Sequence, residues 1–172
     1  IVAENGKKSN GGATVESVTI IPIKFEYGTR VSDEFMYASE EIQLGYLQAF
    51  SDGFSKKVAR GLDIAAMHGF NPRTGAASDV VGNNHFDKAV TQKIDYAEAS
   101  ADDNVDAAVS AIQGADGDVT GMAMSPTFSS ALAKLKANGV RLYPDLAWGG
   151  NPGTLNGLKV DINNTVSFGT SK

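Results

Sequence analysis

The chain has 172 residues, 42% of them hydrophobic and 20% charged, enough for one domain with a real core or two small lobes sharing one. Its formal net charge of −5 leaves no basic footprint, and sequence-independent binding of nucleic acid draws most of its affinity from neutralised phosphates. The absence of cysteine removes disulfides, thiolate metal sites and cysteine nucleophiles and suits a reducing cytoplasm, while no apolar run approaches the roughly 18 residues of a membrane span and the start has no signal-peptide pattern.

Residues 1 to about 17 are polar and rich in glycine, with Asn5-Gly6 and Gly11-Gly12 suited to tight turns. A hairpin tip and a frayed terminus fit this segment equally well, because few apolar side chains could anchor it. From Val18 the pattern changes. Ile21, Ile23, Phe25 and Tyr27 alternate with Pro22, Lys24 and Glu26, the period of a half-buried strand, and Gly28 ends it.

The strongest element follows. Ser39 is placed as a helix cap, and Glu40 and Glu41 suit the positive end of a helix dipole. Leu47, Phe50, Phe54, Val58, Leu62 and Ala65 then recur at spacings of three and four, so a helix is predicted from about 39 to 68, with Gly69 as its stop. Gly45, Gly53 and Gly61 lower its propensity, and glycine on one side permits close packing. A helix of this length suggests a spine for other elements.

Residues 70 to 103 read as irregular, with turns at Asn71-Pro72-Arg73-Thr74-Gly75 and Gly82-Asn83-Asn84 and a short strand near Thr91 to Tyr96. Val105, Ala108, Val109 and Ile112 mark a helix ended by Gly114, and Val119 to Met124 a buried strand. Ser125-Pro126 is a cap with proline at the first helical position, opening a helix through Phe128, Leu132 and Leu135 that Asn138-Gly139 closes. A strand at Arg141 to Tyr143, a loop from Tyr143 to Gly153 holding Trp148, and a final strand at Leu158, Val160 and Ile162 complete the chain. The sum is a mixed helix-and-sheet, α+β chain with no internal repeat.

Catalytic patterns are thin. His68, near the end of the long helix, reads as a surface or capping residue, and His85 lies in a polar loop with no partner at metal-site spacing. There is no HExxH, no phosphate-binding glycine loop and no GxSxG elbow. Asp102, Asp103 and Asp106, and Asp116 with Asp118, do not follow a calcium-loop pattern, and the first group is explained by a helix start. Ser125 could mimic an anion site, but Pro126 removes a donor there. Asn163-Asn164-Thr165 matches a glycosylation acceptor only at chance level. The reading is therefore no catalytic residue, no cofactor-binding residue, no metal ligand and no cofactor.

The order of the motifs carries more. Gly12-Ala13-Thr14-Val15-Glu16-Ser17, Ile21-Pro22-Ile23-Lys24 and Val31-Ser32-Asp33-Glu34 resemble the major capsid proteins of tailed phages with the Hong Kong 97 type fold. Val58 to Gly69 resembles that family's "A…G.D.A...G" helix end, and Asn71 to Gly75 its following turn. Met124-Ser125-Pro126 to Leu135, Arg141-Leu142-Tyr143-Pro144 and Leu155-Asn156-Gly157-Leu158-Lys159-Val160 resemble its later helix, turn and strand, with Lys159 where proline is usual.

The resemblance implies an extended loop (E-loop) over residues 1–20, a peripheral domain with the spine helix and a peripheral β-sheet over 21–100, and an incomplete α/β axial domain with a return strand over 101–172. The chain starts without methionine and stops at Lys172, before the closing strands of the family, so it reads as a truncated fragment that does not build a shell alone. The implied function is structural and non-enzymatic: self-assembly through hexamers and pentamers into an icosahedral shell around double-stranded DNA. Its partners would be copies of itself, with scaffold, protease and portal proteins, and no specific nucleic-acid or membrane binding. The implied location is the virion, and the host cytoplasm during assembly. The alternatives are an encapsulin-type compartment shell on the same fold and, from another class, a small-ligand-binding α/β domain.

Overall fold

The computed structural model describes residues 11–15, 17 and 22–169. The hairpin or frayed end expected before residue 17 lies mostly outside them; residues 11–15 are exposed and unpaired in any strand. The elements are α1 (Asp33–Met36), α2 (Glu40–His68), α3 (Phe86–Ala89), α4 (Ala101–Gly114), β1 (Gly121–Met124), α5 (Pro126–Lys134), β2 (Lys136–Ala137), β3 (Val140–Arg141), β4 (Thr154–Leu155) and β5 (Leu158–Ile162), with 3₁₀ turns at Glu98–Ser100, Pro144–Gly149 and Asn164–Ser167. The α+β class read from the sequence is the class observed.

The predicted spine is a single helix of 29 residues, about 44 Å long. Gly69 stops it in the left-handed region at φ 70°, its N–H donating to Ala65 O. Ser39 occupies the N-cap position, but its side chain makes no capping bond. Instead the Gln43 side-chain amide reaches the carbonyls of Phe35, Met36 and Ala38, tying the turn between α1 and α2.

Of the three helical glycines only Gly61 is a packing position. A Cβ there would lie 3.2 Å from both Phe25 and Pro72, whereas at Gly45 and Gly53 it would meet nothing within 4 Å. Gly53→Ala is therefore expected to stabilise the chain by about 0.5–1 kcal/mol through helix propensity, raising the melting midpoint by roughly 1–4 °C. Gly61→Ala should lower it, and the two thermal melts side by side check both.

Beyond residue 100 a second cluster forms. β1 pairs in parallel with β5, with Met122 opposite Val160, and β4 pairs antiparallel with β5. The core joins Ala101, Met124, Ala131, Leu132, Ala133, Leu146 and Val160, with Phe128, Tyr143 and Ile162 packed against it. Ser125 caps α5 as expected, its Oγ accepting from Phe128 N–H at 3.2 Å.

Several expectations are corrected. Residues 22–27 form no strand: Phe25 and Tyr27 do alternate inward, but onto the side of α2, with no strand beside them among the described residues. Residues 91–96 form no strand either, and Tyr96 packs on Phe128 at 5.8 Å between ring centroids. Asn138-Gly139 does not end a helix; with φ of 52° and 82° it makes the two-residue turn between β2 and β3. The predicted strand at 141–143 shrinks to Val140–Arg141 in that hairpin. Asn156-Gly157 builds an equivalent turn between β4 and β5, a hairpin not read from the sequence although its dipeptide announces one. The loop after Tyr143 contains a 3₁₀ turn, where Trp148 stands 97% exposed at φ 56°.

Candidate assembly surface

The two ends of α2 differ in burial. Its buried residues, Gly61, Ile64, Ala65 and His68, all lie in the C-terminal third. The apolar stripe continues toward the N-terminus at the same three- and four-residue spacing, but there only a thin cover meets it. Residues 25–35 run antiparallel along it: Phe25 lies against Gly61, Tyr27 stacks on Phe50 and Phe54 at 5.8 and 6.4 Å, and Phe35 packs edge-on to Tyr46 at 4.9 Å. The Thr29 and Tyr46 hydroxyls are 3.1 Å apart. This cover leaves Ile42, Leu44 and Leu47 more than half exposed, and Leu62 of the predicted stripe faces outward. Exposed apolar side chains that adjoin on one helix face, as Leu44 and Leu47 do three residues apart, mark surfaces that other chains cover.

The buried end is held by polar bonds. His68 is 4% exposed, which corrects its reading as a surface residue. Its Nε2 donates to the Thr165 carbonyl at 2.8 Å, and its Nδ1 is paired with the Asp87 carboxylate at 2.7 Å. Asp63, five residues earlier on α2, accepts from Asn163 Nδ2 at 3.1 Å, and Asn163 Oδ1 accepts from Thr165 N–H. Asn163 and Thr165 thus serve as a turn cap and a docking point. His85 precedes α3 and lays its ring against Gly69, its Nδ1 buried without a hydrogen-bond partner among the described residues.

The remaining acidic residues are not brought together. Asp102 and Asp103 lie in the first turn of α4, while Asp116-Gly117 turns the chain at its far end, where Gly117 N–H donates to Ile112 O. Among the described residues no three His, Cys, Asp or Glu converge as a metal would need. Burial raises the Tyr143 phenol above its ordinary pKa, with the Asp102 and Asp106 carboxylates adding to the shift. A cavity of about 400 Å³ beside α4 and β1 is walled mainly by Tyr96, Val105, Ile112, Met122 and Phe128. Of its polar groups, Asn104 is bonded to Ala97 O and Ser125 caps α5. No helix among the described residues is long and apolar enough to cross a membrane.

The described chain thus combines a long, half-sheathed helix with a small α/β lobe. The sequence matches the Phage capsid family over residues 1–172. The chain belongs to the phage capsid family. No curated protein matches it. Among solved structures, this capsid-family chain is similar to one from Mycobacterium phage Ogopogo, with a TM-score of 0.64 and 29% sequence identity, over 80% of this chain and 46% of that one. It spans about half the length of that relative. The mixed helix-and-sheet fold matches that phage structure, and the Hong Kong 97 type read from the motifs is consistent with it. The half-covered stripe of α2 is the largest apolar feature left exposed on that helix.

Proposed function

We propose that this chain is part of a structural, non-enzymatic major capsid protein that self-associates through hexamers and pentamers into an icosahedral shell around double-stranded DNA. The observation that carries the reading is α2: one helix whose apolar stripe is buried at one end and left open to partners at the other. Residues 1–20 would be the extended loop lying over a neighbouring subunit, 21–100 the peripheral domain, and 101–172 the axial domain. Scaffold, protease and portal proteins would be its other partners, and the host cytoplasm its place of assembly. The acidic balance of the chain supports a shell that encloses DNA without gripping it.

Electron microscopy of the full-length protein under assembly conditions, with scaffold supplied, tests this. Closed shells are expected, and persistent monomers would overturn the reading. Leu47→Glu changes an exposed position, so it should shift the melting midpoint by no more than a degree or two, in keeping with the roughly 0.5 kcal/mol typical of surface changes. If the stripe is an assembly contact, the same variant should lose most shell yield, read as the fraction pelleting as particles.

A further inference from the structure

Unpaired charges of opposite sign mark the two ends of the long helix. Asp33, Glu34, Glu40 and Glu41 lie in the first turns of α1 and α2 and form no ion pair among the described residues. Between them Met36 and Tyr37 stand 65% and 90% exposed, an apolar tip framed by carboxylates. Toward the other end, a cavity of about 660 Å³ opens between residues 25–28 and α2. Phe25, Phe54 and Pro72 line it, together with Lys57, Arg60 and Arg73. Lys57 sits 5.3 Å over the Tyr27 ring, and Arg60 and Arg73 form no ion pair among the described residues. The one carboxylate in the wall, Glu26, is paired with Lys24.

Tip and groove are opposite in charge and both present apolar side chains, but they cannot meet within one chain. Pro72 lies against Gly61, which is about 30 Å along the helix axis from Ser39. A second copy can bring them together, head to tail, the kind of contact that closes into rings. We infer that the Asp33–Glu41 turn of one copy docks in this groove of the next. Tyr37 enters among Phe25, Phe54 and Pro72, and the flanking carboxylates face Lys57, Arg60 and Arg73. The inference rests on the self-assembling reading above and adds the contact and its direction. Charge pairing of this sort fixes register and excludes the reversed, like-charge approach.

Disulfide trapping in the full-length capsid protein tests it, because the sequence described here contains no cysteine. Ser39→Cys and Arg73→Cys in one chain keep Tyr37, Lys57 and Arg60. The two sites are too far apart for an intrachain bond, which needs Cα atoms within about 7 Å. Mild oxidation of assembled protein is expected to give a ladder of species beyond the dimer that collapses on reduction. Separately, Lys57→Glu with Arg60→Glu and Arg73→Glu should lower particle yield at least tenfold. Adding Asp33→Lys, Glu34→Lys, Glu40→Lys and Glu41→Lys to that chain should restore it at least in part. Shells that form normally with no ladder, or with the charge-reversed groove, would overturn this contact while leaving the shell reading intact. Peptide mapping that joined position 73 to residues 1–20 of a neighbour would assign the groove to another occupant. Failure of the unaltered protein to assemble would remove both readings.

Discussion

Replacing Gly69 with alanine is expected to be among the most damaging single changes in this chain. The residue stops α2 at φ 70°, where any Cβ is strained, and the added carbon would sit on the His85 ring. The backbone term alone is about 1–2 kcal/mol. Displacing the half-buried His85 ring adds to it, for a total of about 3 kcal/mol, in the range of named overpacking and strain mechanisms. That corresponds to a fall of roughly 6–12 °C in the melting midpoint for a chain of this size. Gly75→Ala separates the two terms. It has the same φ of 70°, but its Cβ would come no closer than 3.9 Å to Phe168, so only the smaller backbone term should appear. Adding His85→Ala to Gly69→Ala should recover part of the difference, and an unchanged double variant would show that the ring is not the obstacle.

His68→Ala should cost a similar amount by another route. The imidazole is 4% exposed and bonded at both nitrogens, so its removal takes from the Thr165 carbonyl one of its two hydrogen bonds, the other coming from Phe168 N–H, and opens a cavity at the end of α2. A lost hydrogen bond costs about 0.5–1.5 kcal/mol and the cavity left by the buried ring adds more, giving about 3 kcal/mol in a denaturant melt. The partner Asp87 is about half exposed, so Asp87→Ala should cost much less, about 1 kcal/mol or below. Equal losses from the two variants would mean that the carboxylate, and not the anchoring of the Thr165 carbonyl, dominates. Because His68 joins α2 to the 3₁₀ turn at Asn164–Ser167, its loss should also raise protease cleavage near that turn under native conditions.

These two residues stand on opposite sides of what a sequence can tell. Gly69 was legible because a helix stop is local: a three-and-four stripe runs up to it and a residue free to take positive φ follows. The same locality gave α2 its limits, Ser125-Pro126 its place at the start of α5, and Leu158 to Ile162 its alternation. His68 was misread because its partners are distant in the chain: Thr165 lies 97 residues away and Asp87 lies 19 away. A histidine close to the end of a helix looks the same whether it faces water or a buried carbonyl. The capsid family was legible for a different reason, since several short motifs occur in a fixed order along the chain.

Periodicity and cap chemistry within a few residues are enough to fix the spine helix, its stop, the capped α5, the last strand and the α+β class. Whether an alternating segment becomes a strand depends instead on tertiary contacts. Residues 22–27 and 91–96 have the side chains for it, but a strand exists only where a second backbone supplies hydrogen bonds, and both instead lay their aromatic residues on a helix. Tertiary contacts also decide that Asn138-Gly139 turns a hairpin, since positive φ serves a helix end and a two-residue turn alike until the next strand is in place. The half-covered stripe of α2 belongs to the same class. Periodicity shows that a face is apolar, but what covers it is set by segments and copies far from it in the chain.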